Sequence, residues 1–199
     1  MSVNTIYRAV KSRRLSFEAR KHLRRKGKTY RRETRQDGRG HIEDTVFIEL
    51  RPREVEQRLD IGEWEVDTVL GKPGRGGLVT VVDRKTRLLL AAKIEDKTAS
   101  AVQAALLRLL EGVECRSLMP DNGKEFVRHK EVSTALEVPV YFAHPHSPWE
   151  RGTNENTNGL IRALFAKGID FREVRNDDVL RIVKRLNNRS RKCLGFRTP

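Results

Sequence analysis

A chain of 199 residues can bury a real hydrophobic core in one domain of ordinary size and still carry an appendage, and its two cysteines, Cys115 and Cys193, have neither zinc-site nor disulfide-scaffold spacing. No apolar run reaches the roughly 20 residues of a membrane span and no signal-peptide core follows Met1, so the expectation is a soluble intracellular protein with no membrane partner. The net charge of +14 is uneven: residues 1–40 hold 14 of the 41 Lys/Arg but three of the 27 acids. That is the footprint of an arm that binds nucleic acid by releasing counterions from phosphates, or more blandly of a solubilising tail.

Asn4 to Val10 reads as one or two helical turns ringed by Arg8, Lys11, Arg13 and Arg14, too short to be stable in isolation. Residues 20–40, with Arg24, Arg25 and Lys26 at their centre, have little to bury and read as an extended or disordered arm that orders on DNA. The composition changes at Ile61-Gly62, which divides the chain into a basic arm, 1–60, and a compact domain, 61–199. There Trp64, Val66 and Thr68 alternate with Glu65, Asp67 and Val69, the period of a strand, closed by Gly71 and Pro73-Gly74. Leu78–Asp83 and Arg87–Lys93 follow as strands joined by a polar turn, so three antiparallel strands stand in a row.

Thr98 caps a helix whose Ala101, Val102, Ala105, Leu106 and Leu109 form one stripe, ending at Gly112. A fourth strand, Cys115–Met119, is broken by Pro120 and followed by Asp121-Asn122-Gly123, a helix from Lys124 to Leu136, and a fifth strand, Val138–Ala143. Ser147 as N-cap, Pro148 at the first helical position and Glu150 at the third make a capping box for a helix beginning near 148. On that helix Thr157, Leu160, Ile161, Leu164 and Phe165 form an apolar face, opposite Arg151, Glu155, Asn158 and Arg162. Asp177 caps a last helix with Val179, Leu180, Val183 and Leu186 inward; its outer side and the tail carry Arg181, Lys184, Arg185, Arg189, Arg191, Lys192 and Arg197 without an acid. The order β-β-β-α-β-α-β-α predicts a mixed five-stranded α/β sheet flanked by helices.

In that order a crossover helix sets the first and fourth strands side by side and parallel. Asp67 and Asp121 then meet at one cation, and Glu155 reaches it from the later helix. Hard oxygen ligands suit Mg²⁺ or Mn²⁺, and two ions about 3.5 to 4 Å apart stabilise both oxygens of an in-line phosphoryl displacement. Each carboxylate also has an ordinary reading: Asp121-Asn122-Gly123 as a tight turn, Asp67 as an exposed strand residue, Glu155 as the partner of Arg151 or Arg162.

The segments Gly62–Thr68, Val82–Lys85, Pro120–Phe126, Ser147–Asn156 and Leu194–Pro199, with 33 residues between Asp121 and Glu155, resemble the insertion-sequence-30 group of bacterial DDE transposases, relatives of retroviral integrase cores with the RNase H-like fold. The resemblance implies metal-dependent DNA cleavage and strand transfer at insertion-sequence ends, in a bacterial cytoplasm and at the nucleoid. It implies Asp67, Asp121 and Glu155 as catalytic metal ligands, two Mg²⁺ ions (Mn²⁺ as substitute) with DNA bound, and a homo-oligomer on double-stranded transposon-end and target DNA. Lys124, Arg151, Asn154, Asn158 and Arg162 become candidate DNA contacts around the cleft, joined by Arg24, Arg25 and Lys26 from the arm. Trp149 either stacks on a base or packs beneath the helix entrance, with packing the preferred reading.

The departures from the group's pattern also carry expectations. Only Asn4–Arg8 resembles the end of an N-terminal helix-turn-helix region, so the arm is expected to hold a remnant of it. His144 and His146 stand where an acidic and an aromatic residue are usual, and as two loop histidines without a third ligand they read as surface or DNA-facing groups. Ala166 and Ser190 replace common prolines, and relatives continue past Pro199. The competing expectations are a truncated, non-catalytic DNA-binding fragment that regulates the full enzyme, and a stand-alone RNase H-type nuclease.

Overall fold

Two units, Met1–Gly38 and Arg39–Pro199, make up a computed structural model that describes residues 3–12, 14, 42–145 and 147–199. The first unit contains α1 (Val3–Lys11), in the place expected for a short helix. The arm segment 20–40, with Arg24, Arg25 and Lys26, lies outside the described residues, as does His146.

In the second unit the order is β1 (Val46–Phe47), β2 (Glu63–Leu70), β3 (Gly77–Asp83), β4 (Leu89–Ile94), α2 (Ala99–Leu110), β5 (Ser117–Met119), α3 (His129–Leu136), β6 (Tyr141–Phe142), α4 (Gly152–Leu164) and α5 (Asn176–Asn187). The division between the units comes some twenty residues before the change in composition at 61. Ile42 belongs to the main core, β1 pairs in parallel with β6, and the buried Arg51 is held by Glu56 against the sulfur of Met119. A polar stretch can belong to a core when a few apolar side chains and an arginine stem are placed to fill it.

The main sheet has the order β4-β3-β2-β5. The β2, β3 and β4 strands run antiparallel, and β5 joins β2 in parallel with Glu63 opposite Ser117 and Glu65 opposite Met119. The predicted fifth strand does not extend this sheet. It touches β5 through one bridge, Leu118 to Val140, and then pairs with β1. Two prolines account for this: Pro120 ends β5 after three residues, and Pro139 has no N–H to give and only accepts, from Leu118 N at 3.1 Å. The result is four strands with a separate two-stranded ladder, where five in one sheet were expected.

Both faces of the sheet are covered, which is why every residue of β3 is buried. On one face Val66, Val79 and Val81 pack with Val102, Leu106 and Val132 of α2 and α3. On the other, Leu78, Val82 and Leu89 pack with Ile161 of α4, with Phe165 just past its end, and with Val179 and Leu186 of α5. Thr98 caps α2 as expected, accepting from Ala101 N at 3.3 Å.

Three local expectations are corrected. The helix predicted over 124–136 is a 3-10 turn, Lys124–Phe126, followed by α3. Ser147 makes no side-chain cap, because residues Pro148–Arg151 wind as a 3-10 turn before α4 and Glu150 instead accepts from His144 N at 2.8 Å. Leu180, expected inward, is 61% exposed, and α5 is entered from Arg175, with Asp177 and Asp178 in its first turn.

Candidate active site

Antiparallel partners share a face, so the pairs Glu65–Val82, Asp67–Thr80 and Val69–Leu78 all point toward α4. The side of β2 that alternation alone assigns to solvent is therefore roofed by a helix, and the helix meets it with polar groups. Glu65 is fully buried, and its Oε2 accepts the backbone N–H of Asn154 in the first turn of α4 at 2.7 Å. Asn154 Nδ2 donates to Glu65 O at 3.0 Å, and the Thr80 hydroxyl lies 3.3 Å from Asn154 Oδ1 and 3.0 Å from Asn158 Oδ1. A carboxylate at a helix N-terminus also complements the helix dipole. These bonds fix where α4 starts and how it is turned.

So fixed, α4 directs one stripe at the end of β2. Continuing the β2–β5 register two residues past Glu65–Met119 brings Asp67 opposite Asp121. The Arg151 guanidinium sits between them, with Nη1 3.6 Å from Asp67 Oδ2 and Nη2 3.5 Å from Asp121 Oδ2, and it is anchored by donating to Val66 O at 2.8 Å. Asn158 Nδ2 donates to Asp67 Oδ2 at 3.0 Å. Burial pushes the Asp67 carboxyl up to about 6; Asp121 and Glu125 add to the rise, while Arg151 and the Thr68 N–H oppose it.

A further carboxylate, which sequence reasoning did not single out, stands beside these. The Glu125 side chain is 4% exposed, accepts from the Thr68 hydroxyl at 3.0 Å and pairs with Lys97 at 2.8 Å. Gly123 makes this crowding possible: a Cβ there falls within 3.0 Å of both Glu125 Oε2 and Asp121 Oδ1. Gly123 N donates to Asp121 Oδ1 at 2.9 Å, and Asn122 Nδ2 donates to Ala143 O, tying the turn to the end of β6. The only sequence signal for Glu125 was its place in the segment Pro120–Phe126.

The predicted site residues divide into four groups. Asp67, Asp121 and Arg151 are brought together. Glu155 is exposed on α4, and among the described residues no three acidic, histidine or cysteine side chains are gathered closely enough to hold a metal. It nevertheless shares the stripe of Arg151 and Asn158, four residues before it and three after, both of which reach Asp67. Asn154, Asn158 and Arg162, expected to touch DNA, instead face inward. The first is fully buried, the second orients Asp67, and the Arg162 Nη2 donates to Leu70 O at 2.6 Å while burial lowers the pKa of its guanidinium. Lys124 is exposed, and Trp149 is 72% exposed, so the packing preferred for it is not observed.

His144 stacks on Phe47 at 5.2 Å and pairs through its two ring nitrogens with Glu49 and Glu150. The bond to Glu150 raises its pKa. It is thus an ion-pair centre beside the 3-10 turn.

The donors around Arg151 suit a hard cation. Two carboxylates already hold one cationic group between them, and Mg²⁺ characteristically takes one or two protein carboxylates and leaves its other positions to water and phosphate. Softer metals would call for sulfur or imidazole, which this pair does not offer.

Residues 60–148 match the family described as Integrase core domain. The chain is 41% identical over 203 aligned positions, covering 100% of its own length, to the transposase for insertion sequence element IS4351 of Bacteroides fragilis. It is 40% identical over 82% of its length to the transposase for element IS1086 of Cupriavidus metallidurans, and 38% identical over 89% to the transposase InsI for element IS30A of Escherichia coli. The chain spans 62%, 49% and 48% of the length of these relatives respectively. Among solved structures, the catalytic core domain of BIV integrase superposes with a TM-score of 0.53 at 19% identity, over 69% of this chain and 90% of that one, which establishes the RNase H-like fold.

Proposed function

We propose that this chain, similar over much of its length to integrase-core transposases of bacterial insertion sequences, is a polynucleotidyl transferase that cuts DNA at the ends of an insertion sequence and joins them to target DNA. One observation carries the reading: Asp67 of β2 and Asp121, two residues past the end of the parallel β5, meet on a single guanidinium. In cleavage, the oxygen of water bonds to phosphorus and the 3′-oxygen of the strand leaves, taking up a proton. In transfer, that 3′-hydroxyl loses its proton to solvent and bonds to a target phosphorus, whose own 3′-oxygen leaves. No protein nucleophile is consumed. Asp67 and Asp121 would hold the divalent ion, Mg²⁺ with Mn²⁺ as substitute and two ions once DNA is bound, and Glu155 would complete the set. Such an ion would supply positive charge to the attacking and leaving oxygens. Asn158 keeps the Asp67 carboxylate aimed, Glu65 holds the start of α4 just past Arg151, and Lys124 and Trp149 offer an exposed cation and an exposed ring to the DNA. The basic arm adds sequence-independent contacts, and the protein works on DNA at the nucleoid as at least a dimer.

The test is cleavage and joining of a labelled duplex carrying the inverted repeat that flanks the gene, with Mg²⁺ or Mn²⁺, by the full chain and by Asp121→Asn. The expected outcome is metal-dependent 3′-end cleavage that the variant loses by about three orders of magnitude. Unchanged activity in Asp121→Asn removes that residue from the site. A chain that binds the end but leaves it uncut with either ion replaces the reading with that of a DNA-binding regulator.

A further inference from the structure

On the flank of α4 turned away from Asp67 and Asp121, a groove of about 360 Å³ gathers four cations, Arg58, Arg87, Arg191 and Lys192, against Gly152, Thr153 and Asn156 of the helix's first two turns. No acid is among its lining residues, and among the described residues none of the four cations forms an ion pair. Like charges are brought together from three distant parts of the chain: Arg58 after the 3-10 turn Arg53–Gln57, Arg87 from the β3–β4 turn, and Arg191 and Lys192 from the tail after α5.

The groove is built rather than incidental. Arg87 Nη1 donates to the hydroxyl of Thr153, and Arg191 Nη2 donates to Leu186 O at 3.0 Å, while the Nε–H of Arg191 is buried with no hydrogen-bond partner. The tail is locked by two backbone bonds, Arg191 N to Arg197 O at 2.8 Å and Phe196 N to Arg191 O at 2.9 Å, with Gly195 and Phe196 both at positive φ. Burial lowers the pKa of Arg58 and of Arg191, and the neighbouring Arg87 adds repulsion at each. Glu65 opposes this only at Arg58 and from outside the groove lining, so the repulsion is relieved further by an anion brought from outside, and forked guanidinium groups match phosphate oxygens.

We propose that this groove seats the phosphate backbone of double-stranded DNA, so that α4 lies between a backbone-holding flank and the carboxylate flank. The proposal rests on the reading of the chain as a DNA-processing enzyme, and it adds a second contact surface to it.

Cys193 lines the groove and is exposed, whereas Cys115 is half-buried and burial pushes its thiol up to about 12, so alkylation by iodoacetamide near neutral pH reports Cys193. With the full chain saturated by a mixed-sequence duplex of about 30 base pairs, alkylation of Cys193 is expected to slow about tenfold. In a fluorescence-anisotropy salt series, Arg58→Gln/Lys192→Gln is expected to lower affinity about tenfold and to reduce the slope of log K against log salt by about two. Arg108→Gln/Arg181→Gln, which removes the same charge from exposed positions elsewhere, should change both far less. Equal alkylation with and without bound duplex overturns the proposal, and so does a groove variant that matches the control, even if cleavage at the carboxylates is intact. Failure to bind duplex at low salt removes the DNA-processing reading and the groove's role with it.

Discussion

The two faces of β2 are held by different physics. Toward α2, Trp64 and Val66 meet aliphatic side chains, and the attraction is non-directional and spread over many contacts. Toward α4, Glu65, Asp67 and Thr80 meet Asn154, Asn158 and Arg151 through a few bonds of defined direction. A greasy contact tolerates small shifts, whereas a buried polar one is either made or expensive. The carboxylate site is therefore assembled on the face where misplacement is penalised most.

Substitutions on the two faces should therefore have different consequences. The largest effect is expected for Glu65→Ala, which leaves Asn154 N without its acceptor and takes from the buried Arg84 a carboxylate 3.9 Å away, with Glu56 as its remaining ion-pair partner. A loss of about 3 to 5 kcal/mol in urea denaturation is expected, along with loss of cleavage. Leu106→Ala, on the α2 face, should cost a similar 2 to 5 kcal/mol in the same assay but retain cleavage wherever the chain is folded. If both variants lose activity in proportion to stability, the distinction between the faces fails.

Asp67→Asn has a smaller effect of opposite sign. The folded-state pKa of Asp67, about 6, exceeds its ordinary 3.8, so the folded protein binds the proton more tightly than the unfolded one. Stability contributed by this group is present below about pH 4 and falls as pH rises toward and through 6. In chelator-treated buffer at pH 8 the neutral asparagine should therefore be more stable by about 1 to 3 kcal/mol, with no gain at pH 4 and with cleavage abolished. A variant less stable at pH 8 would show that the Arg151 contacts outweigh the burial of the charge.

The smallest effect concerns His144, whose folded-state pKa is raised above 6.5 by its bond to Glu150. Its contribution is complete below the unfolded pKa and is lost as pH rises through the folded one. Thermal unfolding of wild type and His144→Ala should thus differ at pH 6 and converge by pH 8.5. A difference independent of pH would assign the effect to stacking on Phe47.

Much of this arrangement was legible in the chain. Alternation from Trp64 to Val69 located β2, Thr98 marked the start of α2, and a crossover helix implied the parallel neighbours that bring Asp67 to Asp121. What escaped has a common cause. Periodicity separates polar from apolar faces, but it cannot tell solvent from a polar partner, so Asn158 of the polar face turns inward onto Asp67, while Asn154, a DNA contact by resemblance alone, is fully buried. Trp149 was misjudged in the opposite direction, since an aromatic residue near a helix entrance carries no mark of exposure. Pro139 was the available sign that the fifth strand would make only partial contact, and nothing local linked Ile42 or Arg51 to a core begun twenty residues later.

Gly123 leaves a trace that other chains of this kind can be read for. Its φ of −73° is open to any amino acid, so its backbone conformation does not require glycine. What excludes a side chain is the approach of Glu125 and Asp121 into the space that a methyl group would fill. Lys124, next along the chain and exposed, meets no such steric limit. Constraint on size should then fall on one residue of the turn and not on its neighbour, with the cause in the carboxylates above it and not in the shape of the turn.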